Sequence, residues 1–262
     1  MRPVFEDKSP RMSGAVESLP MTSLPGRLEV AAADVPLLAS LPKQVRERLL
    51  ASSHIERFAP RAEIFKEGGA PAHLYIILAG IVDLAAAYKN AECTALMLAA
   101  GDVFMPAAAL YSEPYLVSAR ALTGCRLLMI DARIVRQEAR SCVELAHGLA
   151  RVLAGQWRVA LKIILDLKCR SPSQRLAAFL LRLHDGSQPG ANAEVPFSKR
   201  QLASRIGMQP ETLSRTLQTL AANGLYLRGR QIIVTNRTAI EEFCGPDPYP
   251  PATEYDLGVH AL

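Results

Sequence analysis

Between Ser198 and Gly224 the chain spaces polar side chains as a groove-reading surface would. Glu211, Ser214, Arg215 and Gln218 recur at three- and four-residue steps and so share one face of a helix. Their chemistry suits base edges. An arginine can fork onto O6 and N7 of guanine, a glutamate can accept from the cytosine amino group, and a serine can serve either. Leu213, Leu217 and Leu220 fall on the opposite face, where they would hold such a helix against a core. Pro210 suits the first turn because the amide it lacks would be unpaired there anyway. Upstream, Ser198 is fit to cap a shorter helix in which Leu202 and Ile206 share a face, and Gly207 can turn the chain with positive φ. Gly224 marks the stop. Helix, glycine turn and second helix form the pattern that sets a recognition helix into a major groove. A solvated hairpin in an ordinary helical domain would share this periodicity, so the flanks must decide.

Those flanks add a wing. Leu225–Tyr226 and Gln231–Thr235 are short apolar runs around Arg228-Gly229-Arg230, which reads as a hairpin with a basic tip. Charge is concentrated in the same region. From Arg170 to Cys244 there are ten Lys and Arg against five Asp and Glu, an excess equal to the +5 of the whole 262-residue chain. Such a footprint suits a polyanion, here double-stranded DNA, and supplies affinity without sequence preference. Ser198, Lys199, Arg200, Thr212, Arg228 and Arg230 are the candidate phosphate contacts.

The remaining elements must position that surface. Half of the residues are hydrophobic, enough to pack a core in one large or two modest domains. No run approaches 18 apolar residues, which argues against a membrane span, and the first residues lack the apolar core of a secretory signal. Cys93, Cys125, Cys142, Cys169 and Cys244 are odd in number and scattered, with no Cys-x-x-Cys. That pattern fits reduced thiols and a cytoplasmic location. Residues 1–30, with Pro3, Pro10, Pro20 and Pro25, read as a disordered arm, and the proline-rich 245–262 as a disordered tail.

Residues 31–140 begin with a helical pattern from Val35 to Ser53. Short β-rich runs follow, such as Leu74–Leu78 and Thr94–Leu98, with turns at Gly68-Gly69, Gly80 and Gly101-Asp102. Strands at this spacing suggest a sandwich or jelly roll. Residues 141–168 carry a long helical stripe. Leu145, Leu149, Val152, Val159 and Ile163 are expected to meet a second copy as a dimer seam, the alternative being packing onto the chain's own β-domain. Residues 169–244 form the winged helix-turn-helix. The expected fold class is α+β: a β-roll of the cyclic-nucleotide-binding jelly-roll type, a long dimerisation helix and a C-terminal winged helix-turn-helix.

This order resembles the CRP/FNR family of bacterial transcription regulators from roughly Leu37 to Phe243. The motifs that carry the resemblance are Ile64-Phe-Lys-Glu-Gly68, Leu74-Tyr-Ile-Ile-Leu-Ala-Gly80, Gly101-Asp-Val-Phe104, Ser118-Ala-Arg-Ala-Leu122, Arg175–Leu183 and Glu211-Thr-Leu-Ser-Arg215. Within the family the chain looks most like the FtrB-like branch. The resemblance implies base contacts from Glu211, Ser214 and Arg215, a homodimer, an RNA polymerase partner and a palindrome with TTGAT-like half-sites.

The sensor motif departs from the family's cyclic-nucleotide binders, in which a Phe-Gly-Glu segment and an Arg-Ser pair hold the ligand. Phe104-Met105-Pro106-Ala107-Ala108-Ala109-Leu110 has no Glu, Pro106 removes a donor, and Tyr115-Leu116 stand near the Arg-Ser position. Burying a cyclic phosphate without a cation would be costly, so no control by cyclic AMP is expected. Phe104, Met105, Pro106, Leu110 and Tyr115 instead suggest an apolar pocket for a small apolar ligand, a haem or nothing. An iron–sulfur cluster needs four thiolates, and the first 92 residues hold no Cys, so none is expected. Haem remains open, although His54, His73, His147, Met105 and Cys125 mark no clear axial ligand. A cupin-like enzyme would need clustered histidines. No metal site, Gly-x-x-x-x-Gly-Lys loop or other catalytic motif is present in the sequence, and no enzyme is expected.

Overall fold

A computed structural model describes residues 35–88, 91–186, 192–196 and 198–245. The arm assigned to 1–30 lies outside the described residues, as does the tail beyond Gly245. The helical pattern of Val35–Ser53 resolves into two helices, α1 (Pro36–Ala39) and α2 (Lys43–Ala51), separated at Ser40–Pro42. Eight strands then build the roll: β1 (Ser53–Phe58), β2 (Glu63–Phe65), β3 (His73–Ala79), β4 (Val82–Tyr88), β5 (Ala91–Leu98), β6 (Val103–Phe104), β7 (Ser118–Ala121) and β8 (Cys125–Asp131). One antiparallel sheet runs β1-β8-β3-β6, the other β2-β7-β4-β5.

Side-chain alternation assigns the layers. In β3 and β8, Leu74, Ile76, Leu128 and Ile130 turn toward the helices, whereas Tyr75, Ile77, Leu127 and Met129 turn toward the opposite sheet. These strands therefore read as continuous apolar runs, because both of their faces are buried. Three helices were not separated by the sequence reading: α3 (Pro106–Tyr111), α4 (Ala132–Ser141) and, near the chain's end, α9 (Arg237–Cys244). Asp131 caps α4 by accepting from the Arg133 amide at 2.8 Å.

Helix α5 (Val143–Cys169) runs 27 residues, which at 1.5 Å per residue is roughly 40 Å. Its first half does not present the expected seam. Leu145, Leu149 and Val152 are buried among α1, α2 and the outer face of the first sheet, and Val159 and Ile163 are half-buried. The roll's own helix layer covers this stripe because α1, which lies against α5, supplies Leu37 and Leu38 to the same cluster. The large apolar side chains that α5 leaves exposed are Val143 at its start and Trp157, Leu161, Ile164 and Leu167, the last four on a neighbouring face. Gln156 Nε2 donates to Val103 O at 2.7 Å and fixes the rotation of α5 on the roll.

After Ser171 come α6 (Pro172–Asp185), α7 (Lys199–Ile206), α8 (Pro210–Ala222), and the paired strands β9 (Leu225–Arg228) and β10 (Gln231–Val234). Their core is Leu176, Phe179, Leu180, Leu202, Leu213, Leu220, Leu225, Ile232 and Ile240. Met97 of β5 is fully buried in this same cluster, and Leu122 packs at its edge.

Candidate nucleic-acid interface

Local signals build the reading helix. Ser198 forms a capping box with Gln201, whose Oε1 accepts from the Ser198 amide at 2.8 Å. Gly207 closes α7 in the left-handed region at φ 72°. Pro210 opens α8. Gly224, at φ 86°, follows its end, and a Cβ there would stand 2.5 Å from Asn236 Cβ. No side chain fits that approach between the helix and the strand pair.

Leu213 and Leu220 are buried and Leu217 half-buried, as their spacing implies, and Thr216 joins them on the inner side. Glu211, Thr212, Ser214, Arg215 and Gln218 are exposed together along the other face. The structure thus brings the four proposed base-reading side chains onto one accessible ridge, with Thr212 beside them. Lys199 and Arg200 are exposed in the first turn of α7. Two cations at a helix N-terminus oppose the macrodipole at roughly 0.3–1 kcal/mol each, and an incoming anion reverses that penalty.

Two of the other phosphate candidates, Ser198 and Arg230, are held by partners within the chain. The Ser198 hydroxyl donates to Gln201 Oε1 at 2.8 Å within its own capping box. Arg228 is exposed at the wing. Arg230 Nε donates to Val195 O at 2.8 Å, and the backbone of Ala193–Val195 pairs alongside β10. Arg230 therefore ties the 192–196 segment to the wing, a role its sequence position did not announce.

Arg175 was legible only as part of a motif. Its guanidinium donates to Ile206 O at 3.1 Å and Arg170 O at 2.9 Å, joining α6 to the helix-turn-helix turn and to the end of α5. One charged group thus links α6 to the end of α5 and the end of α7.

In the roll, Phe104 and Tyr115 are buried as expected of pocket residues, but they do not border open space alone. Phe65 stacks on Tyr115 with ring centroids 3.9 Å apart, Tyr75 stacks on Phe104 at 4.9 Å, and the Tyr75 and Tyr115 hydroxyls meet at 3.3 Å. Met105 packs with this group, whereas Leu110 packs with the helix layer on the far side of the sheet. The five proposed pocket residues therefore do not line one space. Phe65 and Tyr75 were missed because their partners are distant in sequence.

His54 of β1 lies 5.5 Å from His73 of β3, ring to ring. Burial and the neighbouring His54 push His73 below its ordinary value. Among the described residues no three metal-ligating side chains gather, and no helix is long and apolar enough to cross a membrane. Burial pushes the Cys125 thiol up, away from reactivity.

Comparison with known proteins agrees with this architecture. Residues 55–142 match the family model of the cyclic nucleotide-binding domain, and residues 174–243 that of the Crp-like helix-turn-helix domain. The nitrogen fixation regulation protein FixK of Azorhizobium caulinodans is 26% identical over 192 residues, covering 70% of this chain and 76% of FixK. The CRP-like protein Clp of Xanthomonas campestris pv. campestris is 27% identical over 203 residues, covering 72% of this chain and 86% of Clp. FixK2 from Bradyrhizobium japonicum shares the fold with a TM-score of 0.65 at 24% identity, over 74% of this chain and 98% of that one. A sensor roll, a long helix and a winged helix-turn-helix in this order, matched in both halves, make the chain a member of the CRP/FNR family of DNA-binding transcription regulators.

Proposed function

We propose that this regulator binds as a homodimer to a palindrome with TTGAT-like half-sites and does so without cyclic AMP. The carrying observation is the accessible ridge of Glu211, Ser214, Arg215 and Gln218 on α8, backed by buried Leu213 and Leu220. Arg215 reads guanine through O6 and N7, Glu211 accepts from cytosine, and Ser214 and Gln218 complete the register. Lys199, Arg200 and Arg228 neutralise phosphate, and the Thr212 hydroxyl donates a hydrogen bond to it.

Dimerisation is supported by α5. Trp157, Leu161, Ile164 and Leu167 are exposed at spacings of four and three residues, and Trp157 is 64% exposed. An apolar stripe of this period on a long helix is a coiled-coil seam, and a second copy of the same helix is its natural cover. Two copies would present two α8 ridges to successive turns of one duplex face.

Independence from cyclic AMP is supported by the roll interior. The residues in hand suit a cyclic nucleotide poorly, since Phe65, Tyr75, Phe104 and Tyr115 stack on one another inside the roll and present no cation to a phosphate. The run Phe104–Leu110 also offers no carboxylate for a ribose. Contact with RNA polymerase follows from the regulator role and belongs to the same reading. Fluorescence anisotropy on a TTGAT inverted repeat and on a scrambled duplex tests it. Preference for the repeat, unchanged by cyclic AMP, is expected. Equal affinity for both duplexes overturns the base-reading assignment, and tightening by cyclic AMP overturns the independence.

A further inference from the structure

At one end of the roll's interior the apolar lining gives way to ionisable side chains. Strands β1 and β3 flank β8, and the register sets His54 opposite Met129 and His73 opposite Asp131. Residues directly opposite across an antiparallel pair share a face, and Met129 belongs to the buried cluster between the two sheets. His54, His73 and Asp131 therefore stand on the inner face of the first sheet, where β3 begins and β8 ends. Alternation puts Glu56, two positions beyond His54, on the same face.

The two imidazoles approach closely. Their centroids lie 5.5 Å apart and their planes meet at 79°. Two imidazoles on one tetrahedral zinc, each with a metal–nitrogen bond of roughly 2.0–2.1 Å, would have centroids about 5 Å apart. The rings thus stand at nearly the spacing that a shared ion needs. His54 is exposed and His73 half-buried, so an ion can enter from solvent and meet one ring that is held by packing. Tyr75 supports His73 from inside the roll, edge to face at 5.8 Å.

The surroundings favour a cation. Glu56 Oε2 lies 3.7 Å from His54 Nε2, and Asp131 faces His73 across the β3–β8 pair. Asp131 accepts the forked Arg133 through both carboxylate oxygens, so it is an outer partner of the rings and not a free ligand. A carboxylate in that place orients a ligating histidine and raises its basicity.

We propose that His54 and His73 together bind one divalent transition-metal ion of the class that prefers imidazole nitrogen, such as zinc, with water completing the coordination and Glu56 beside it. Imidazole suits zinc, copper and nickel, whereas magnesium and calcium demand oxygen ligands. Only the folded roll brings the two rings together, so the ion binds the folded state and stabilises it. The site clamps β1 to β3 across β8, and it requires neither DNA nor a second copy of the chain.

Isothermal titration calorimetry of the full chain with zinc chloride tests this, alongside thermal melts with and without the ion. A saturable site and a raised melting temperature are expected in the parent. His54→Gln and His73→Gln should each weaken that site at least tenfold and remove the rise, whereas His147→Gln, exposed on α5, should leave both unchanged. Equal melting temperatures of His54→Gln and the parent without zinc show that the loss is one of ligation and not of fold. Magnesium chloride should give no saturable heat. Zinc binding that survives both His54→Gln and His73→Gln puts the ion on other groups, such as the exposed Cys93 and Cys169 thiols, and overturns the site. A parent without saturable zinc binding overturns it as well. Magnesium bound as tightly as zinc does the same, because carboxylates and not imidazoles would then be the ligands.

Discussion

The hydroxyls of Tyr75 and Tyr115 meet at 3.3 Å in the middle of the β-roll, joining β3 to the segment that leads into β7. Each is the other's polar partner in an otherwise apolar interior, and burial pushes the Tyr75 phenol well above its ordinary value. Tyr115→Phe leaves the Tyr75 hydroxyl without this partner and is expected to cost about 1–3 kcal/mol in urea unfolding. Tyr115→Ala removes the ring stacked on Phe65 and is expected to cost about 3–5 kcal/mol. It also opens room in the roll, so an apolar probe such as benzene should raise the melting temperature of Tyr115→Ala and leave the parent unchanged.

Variants at Arg215 and Lys199 test the proposed base reading separately from the proposed phosphate binding. Arg215→Ala is expected to weaken the inverted repeat by roughly 1–3 kcal/mol and the scrambled duplex far less. Lys199→Ala should weaken both duplexes alike and lower the slope of log K against log salt by about one. Anisotropy titrations between about 50 and 200 mM salt distinguish the two patterns.

The two faces of α5 give opposite expectations. Trp157→Glu and Ile164→Glu place charge on the exposed stripe and should convert dimer to monomer by sedimentation, with stability little changed. Leu149→Ala instead empties a buried site and should cost roughly 2–5 kcal/mol while leaving the oligomeric state intact.

Acid stability should depend on Glu138. Arg48 reaches it with Nε to Oε1 and Nη2 to Oε2, both at 2.7 Å, and ties α2 to α4. The Arg48 guanidinium holds the Glu138 carboxyl below its ordinary value. A carboxyl depressed in the folded state contributes fully above the unfolded value of about 4.3. That contribution is lost as pH falls through the lower folded value. Thermal midpoints of the parent should therefore decline below about pH 4.3. Glu138→Gln should start lower at neutral pH and decline less steeply.

The helix-turn-helix was legible because its signals are local. Ser198 and Gln201 cap α7, Gly207 takes the left-handed turn, Pro210 starts α8, and the 3.6-residue period separates Leu213 and Leu220 from Arg215. Each depends on residues within a few positions of one another, so side-chain type fixes backbone geometry directly. The wing was legible for the same reason, although Arg230 turned out to hold Val195.

The stripe on α5 marks where that reasoning stops. Periodicity placed Leu145, Leu149 and Val152 on one face, but only the packing of α1 and the roll decided that the chain itself covers them. Likewise Phe104 and Tyr115 read as pocket residues, and only the fold brings Phe65 and Tyr75 from distant strands to stack on them. Met97 was already apolar on a strand whose neighbours Leu96 and Leu98 face inward, a sign that both faces are covered. A sequence specifies which face of an element must leave water, since hydrophobicity and backbone period are properties of the chain alone. Which surface then covers that face is set by long-range packing, and here it decided the burial of Leu145 and Leu149, the aromatic stack in the roll and the covering of Met97 by α7.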